Sequence, residues 1–230
     1  FRSRKDVRII LVIAVLIMGA AVGFTGSRGG MLAFTAVLGF TILVRVLAGG
    51  SRSGNDQAQS RQGKLTVAAA GLALLMVVFS LVLFLGGNDP LLRGTGVNAA
   101  DVDISTGRFH FWPIALRIFT DHPVLGAGYD AFGVAFTQYD TWPGLLRVEQ
   151  AHNDYLQMLS DGGVPALAAV IVFVLILFRK GIGVITRSSG LRKDIAAGAL
   201  AGCLGILVHS FFDFPLRTPS NAFFFLRSEE

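Results

Sequence analysis

Three cationic or proton-accepting side chains stand in short polar motifs, far apart in the chain. His152 lies in Ala151-His152-Asn153-Asp154-Tyr155-Leu156-Gln157, Arg108 in Thr106-Gly107-Arg108-Phe109-His110-Phe111-Trp112, and Arg28 in Thr25-Gly26-Ser27-Arg28-Gly29-Gly30. An imidazole titrates near neutrality and suits proton transfer. A guanidinium matches the geometry of phosphate oxygens. Arg28 sits in a short connection between two apolar runs, where it either snorkels to lipid headgroups or binds a phosphate. The flanking glycines let a ligand approach the backbone there. Arg108 opens a predicted helix, where the dipole disfavours a cation; it is either solvated or shares an anion with the free N–H groups.

The neighbouring residues offer support. Asp154 is placed to orient His152 or to cap a helix. Trp112 suits anchoring at a membrane interface or stacking on a sugar. His209 and Asp213 are four apart, a structural pair on one helix face if the helix runs that far, or else Asp213 helps hold the arginines. Arg117, Arg147 and Arg217 are further candidates. The four histidines lack zinc spacing, there is no HExxH or CxxC, and Gly126-Ala127-Gly128 has no P-loop lysine, so no metal or nucleotide cofactor is expected.

What must position these residues is a set of membrane helices. Hydrophobic residues make up 53% of the 230 and charged ones only 15%, and the apolar residues come in blocks. Five spans are expected, near 8–25, 31–48, 65–86, 163–179 and 195–212, with a sixth starting near 222. The fold class expected is therefore all-α, a polytopic membrane protein. Residues 1–86 hold three spans with a Gly/Ser-rich cytoplasmic linker near 49–64. Residues 87–161 form a large extracytoplasmic loop with short helices, and 162–230 hold the remaining spans. The chain does not begin with Met and stops inside a new apolar run, so a longer parent is expected.

Thirteen of the 20 basic residues fall in the N-terminal stretch and in the segments after the second and fourth spans. The positive-inside rule makes those segments cytoplasmic. The large loop, with nine acids against four arginines, then faces outward. The pI near 9.9 thus records topology, and nucleic-acid binding is not expected. This topology brings the Arg28 turn, the large loop and the His209–Pro215 segment to one face. Within the loop, Ser105 or Thr106 is expected to cap a helix over about 107–120 that His122-Pro123 ends. Gly126-Ala127-Gly128 is a turn, and a second helix runs from Asn153 to Gly162-Gly163. Cys203, the single cysteine, reads as a small buried residue.

Ser27-Arg28-Gly29-Gly30, Thr106-Gly107-Arg108 with Trp112, Asp121-His122-Pro123 with Gly126-Ala127-Gly128, His152 through Gln157, and His209-Ser210 with Asp213, in that order, resemble the O-antigen ligase and polymerase superfamily of bacterial membrane glycosyltransferases. The resemblance implies transfer of a glycan from an undecaprenyl-pyrophosphate carrier to an acceptor hydroxyl, at the periplasmic face of the bacterial inner membrane, without cofactor. The acceptor is lipid A-core in ligases, another lipid-linked glycan in polymerases, and a protein side chain in O-oligosaccharyltransferases. It further implies spans before residue 1 and after residue 230. By the same resemblance Arg28 and Arg108 hold the pyrophosphate and His152 is the base or a pyrophosphate ligand. Two other classes fit a polytopic chain: a transporter or channel, and a non-catalytic subunit of polysaccharide export. A transporter calls for ionisable groups at mid-membrane, whereas here the spans are almost free of charge and the charged groups collect at one outer face, which favours the enzyme.

Overall fold

A computed structural model describes residues 4–25, 27–48, 107–142, 147–218 and 220. Among these, the regular structure is helical, with six α-helices and no strand: α1 (Arg4–Phe24), α2 (Arg28–Ala48), α3 (Arg108–Asp121), α4 (Phe132–Phe136), α5 (Asp154–Arg187) and α6 (Leu191–His209). A 3₁₀ turn, Pro215–Arg217, follows α6. The all-α expectation holds. Two helices are long and apolar enough to cross a membrane by length and composition, the Arg28–Val46 stretch of α2 and α5. The expected count of five or six spans is not reached among the described residues. The apolar run inside α1 is shorter, Ile13–Val22, and α6 carries Arg192, Lys193 and Asp194 in its first turn. The expected spans at 65–86 and from 222, the linker near 49–64, and the capping residues Ser105 and Thr106 lie outside the described residues.

Small residues set the helix packing. A Cβ on Gly205 of α6 would come within 2.6 Å of Val37 of α2, and one on Gly181 of α5 within 2.9 Å of Leu200 of α6. Close backbone approach of this kind is how apolar helices associate where burial alone provides little drive. Helix α2 runs antiparallel to α6, with Arg45 near its end facing Asp194 near the start of α6 at 3.5 Å. The opposite ends of both helices therefore meet near Arg28 and His209.

Helix α5 begins at a built cap. The Asn153 side chain accepts the N–H groups of Tyr155 and Leu156 at 3.0 and 3.1 Å. The helical path breaks at Gly163, φ 64 and ψ −161. This matches the expected stop of the short helix at Gly162-Gly163. The apolar part beyond it runs to Arg187, eight residues past the expected end of the span, because no glycine pair or proline intervenes before Ser188-Ser189-Gly190. Pro165 has no N–H to give Asp161, so the break strands carbonyls. The loop satisfies them: Ala127 N–H donates to Ser160 O at 2.8 Å and Gly128 N–H to Asp161 O at 3.0 Å. In return, Val164 N–H donates to Pro123 O at 3.0 Å. The expected turn at Gly126-Ala127-Gly128 is thus the plug of the kink.

Its fit demands glycine. A Cβ on Gly163 would meet Val124 O at 2.5 Å, and one on Gly126 (φ 67) would meet the Asp161 backbone at 2.3 Å. Gly163→Ala is expected to destabilise the protein by at least ~2 kcal/mol, combining left-handed strain with the clash. A thermal unfolding midpoint in detergent equal to that of wild type would refute this.

The loop segment also has its own core. Phe111, Ile114, Ala115 and Ile118 of α3 pack on Phe132, Ala135 and Phe136 of α4 and on Ala151. This core holds the start of α3 against the turn that carries His152.

Candidate functional site

The segment after α6 is where the separated motifs meet. Helix α6 ends at His209, so Asp213 lies in the following turn and not on the helix, although its N–H still donates to His209 O at 3.1 Å. Phe212 is packed against the start of α2: a Cβ on Gly29 would lie 2.7 Å from Phe212 Cβ. Its carbonyl oxygen accepts Arg108 Nε at 3.0 Å and Arg108 Nη2 at 2.5 Å. Asp213, next in sequence, faces His152, with Nδ1 to Oδ1 at 3.3 Å, and lies 3.7 Å from His209 Nε2 through Oδ2. The three elements expected on one face do converge, and Phe212-Asp213 is their meeting point.

Arg28 is not in the interhelical connection as expected. It is the first residue of α2, because Ser27 Oγ accepts the Gly30 N–H at 3.1 Å and starts the helix three residues before the expected span. Its side chain is exposed and makes no hydrogen bond or ion pair with the described residues. Arg108 likewise opens α3. The residue before it, Gly107, occupies the cap position at φ 85 with no side-chain cap, so the helix starts one residue later than expected and the cap is not Ser105 or Thr106.

His152 is held by its neighbours. It has φ 51, a left-handed backbone that costs a side-chain-bearing residue about 1–2 kcal/mol. The preceding residue, Ala151, is fully buried and pinned from both sides. Trp112 Nε1 donates to Ala151 O at 3.1 Å, and Ala151 N–H donates to Gln157 Oε1 at 2.8 Å. Asn153, immediately after, is committed to the cap of α5. The imidazole sits between the rings of Phe111 and Phe214, at 6.1 and 5.1 Å between centroids. Its Nδ1 points to Asp213, and Nε2 has no protein partner among the described residues.

Several expected roles change. Trp112 gives its indole N–H to Ala151 O, a structural contact beside the interface or sugar-stacking role expected of its ring. Asp154 neither orients His152 nor caps α5. It is 3% exposed, accepts Ser210 Oγ at 2.9 Å and Leu216 N–H at 3.1 Å, and fastens the start of α5 to the turn after α6. Arg217 pairs with Asp130 at 2.7 Å and with the buried Asp161. Arg117 lies over the Tyr139 ring at 5.2 Å, and Arg147 pairs with the exposed Glu149.

Gln157 was legible only as part of its motif; nothing in the sequence marked it as the acceptor for Ala151. Removing the other half of that grip, with Trp112→Phe, leaves a buried carbonyl without its donor. The expected loss is ~1–3 kcal/mol of stability, read as a lower denaturation midpoint of the purified protein; an unchanged midpoint would mean the bond contributes nothing.

The arrangement combines one half-exposed carboxylate flanked by two imidazoles with two arginines at helix starts. Among the described residues no group of three or more potential ligands is placed to hold a metal ion. What the arrangement offers is a proton acceptor, His152 Nε2, backed by a carboxylate, beside cationic groups suited to an anion. Compared with known families, residues 13–171 match the O-antigen ligase family, a stretch that includes Arg28, Arg108 and His152. No curated protein matches the chain.

Proposed function

The chain belongs to the O-antigen ligase family, which points to a membrane glycosyltransferase-like role, and from that premise we propose the reaction it performs. It transfers a glycan from an undecaprenyl-pyrophosphate donor to an acceptor hydroxyl, at the periplasmic face of the bacterial inner membrane. The acceptor is lipid A-core or another lipid-linked glycan. The observation that carries this reading is the His152 Nδ1 to Asp213 Oδ1 contact, formed one residue from the carbonyl that anchors Arg108.

The step is an in-line displacement with inversion. The acceptor oxygen forms a bond to the anomeric carbon while the bond from that carbon to the pyrophosphate oxygen breaks. The hydroxyl proton passes to His152 Nε2, and Asp213 stabilises the imidazolium that results. The electron pair of the broken bond leaves on the lipid pyrophosphate. Arg28 and Arg108 neutralise the charge that develops there, the part a metal ion plays in many phosphate-leaving reactions. The two arginines stand at helix starts, where the helix dipole adds to the attraction for phosphate.

The test is a transfer assay on the purified full-length protein. It receives lipid-pyrophosphate-linked glycan with and without lipid A-core, and the products are separated on a gel. Transfer that requires lipid A-core makes it a ligase. Chain growth from the donor alone makes it a polymerase. A folded protein that consumes no donor in either tube overturns the reading.

A further inference from the structure

One cluster near the site has no part in that chemistry. His110 Nε2 lies 2.7 Å from Asp140 Oδ1, and the same oxygen accepts the Trp142 backbone N–H at 3.0 Å. The Trp142 ring lies parallel on the His110 ring, with centroids 4.2 Å apart and planes 4° apart. Phe111 and Phe136 meet His110 edge-on at 6.2 and 5.9 Å. The imidazole is thus boxed on several sides and serves as a fixed backing for the indole. Asp140 is held below the usual carboxylate range, first by the Trp142 N–H and then by His110, so it remains an acceptor for both.

Trp142 itself is a different case. It is 40% exposed, and its indole N–H has no protein partner among the described residues. A tryptophan that only filled the loop core would be covered. One that only anchored the loop at a lipid interface would need neither the parallel backing nor the backbone clamp on Asp140. A rigid, partly exposed aromatic plate with an open donor at its edge is suited to the apolar C–H face and the hydroxyl rim of a pyranose ring. Its position adds a second argument. Phe111 lies 5.8 Å from the Trp142 ring and 6.1 Å from the His152 ring, so a single side chain separates the plate from the proton acceptor.

We propose that Trp142, backed by His110 and Asp140, is a sugar-stacking subsite that holds the transferred or the accepting glycan beside His152. The inference rests on the glycan-transfer reading above and adds to it a binding residue outside the arginine and histidine set. The occupant is a pyranose ring face, which the donor and the acceptor glycan both present.

Steady-state kinetics of the full-length protein separate the two sources. Trp142→Ala is expected to raise one KM about 10-fold, the change that ~1.4 kcal/mol of lost contact gives, with kcat within about threefold. A rise confined to the donor assigns the plate to the donor glycan; a rise confined to the acceptor assigns it to the acceptor. Trp142→Phe keeps a smaller ring and is expected to fall between wild type and alanine; it carries the test if the alanine variant fails to fold. If neither KM moves by more than about twofold in a folded variant, the subsite is refuted. A second readout does not need turnover. The oligosaccharide released from the donor is titrated into wild type and Trp142→Phe while tryptophan fluorescence is followed. A saturable change in wild type that the variant lacks supports the plate even if no transfer is seen. Identical traces with the donor oligosaccharide and, in a separate titration, with the acceptor glycan overturn it even if transfer is robust.

Discussion

Replacing His152 with glutamine is expected to lower kcat about 10²–10⁴-fold, the range spanned by general-base catalysis, with little change in donor KM. Glutamine is close to histidine in reach and polarity, so it keeps the hydrogen-bonding shape while losing the proton acceptor. The geometry makes the assignment specific. Nδ1 is turned to Asp213 at 3.3 Å, which leaves Nε2 as the nitrogen without a protein partner among the described residues. Asp213→Asn is expected to act in the same direction and by less, because an amide can still orient the ring but does not stabilise the imidazolium. His152→Ala adds a decisive arm. Free imidazole in the assay should restore part of its rate if the lost group was a proton acceptor. A role in binding pyrophosphate predicts something else: a raised donor KM and no rescue. Activity of His152→Gln within about threefold of wild type, against the 10²–10⁴ expected, would remove the base from the mechanism.

How much of this arrangement can be read in the sequence depends on the range of the interaction. The convergence was legible, because the placement of basic residues fixes which segments share a side, and that needs no knowledge of packing. Gly29 against Phe212, Arg108 on the Phe212 carbonyl and His152 on Asp213 are its physical outcome. Local signals also served: His122-Pro123 ends α3, Asn153 opens α5, and the helical path breaks at Gly163. The partner of His152 was less legible. Asp154 is nearer in sequence, but once Asn153 caps the helix and His152 turns left-handed, the Asp154 carboxyl is carried to Ser210 and Leu216. Asp213, sixty-one residues away, takes its place. The same limit hid the Trp142 plate and the Arg217 bridge to Asp161, since each joins residues whose proximity follows from tertiary packing and not from periodicity. Helix α5 continues past the span end expected at 179 for a simpler reason. Arg179 and Lys180 read as the end of a span, yet charged side chains do not stop a helix that has no breaker after them.

Arg108→Ala is expected to lower kcat/KM about 10²–10³-fold, the loss that follows removal of one preorganised donor to a developing oxyanion. Arg108→Lys should recover little of it. The Phe212 carbonyl takes both Nε and Nη2 of the guanidinium, a two-point grip that sets its plane, and an ammonium on a flexible stem cannot reproduce it. Arg28 is different in kind. It is exposed and makes no hydrogen bond or ion pair with the described residues, so its contribution is closer to that of a point charge, and Arg28→Lys should keep more activity than Arg28→Ala. Gly29, beside Arg28, rests on Phe212, the residue whose carbonyl holds Arg108, and this places both arginines around one segment. If they neutralise the same leaving pyrophosphate, their losses are coupled, and Arg28→Ala with Arg108→Ala should be less damaging than the product of the two single effects. A double variant whose loss equals that product would mean that the two arginines act on separate groups, and the shared-leaving-group mechanism would have to give up one of them.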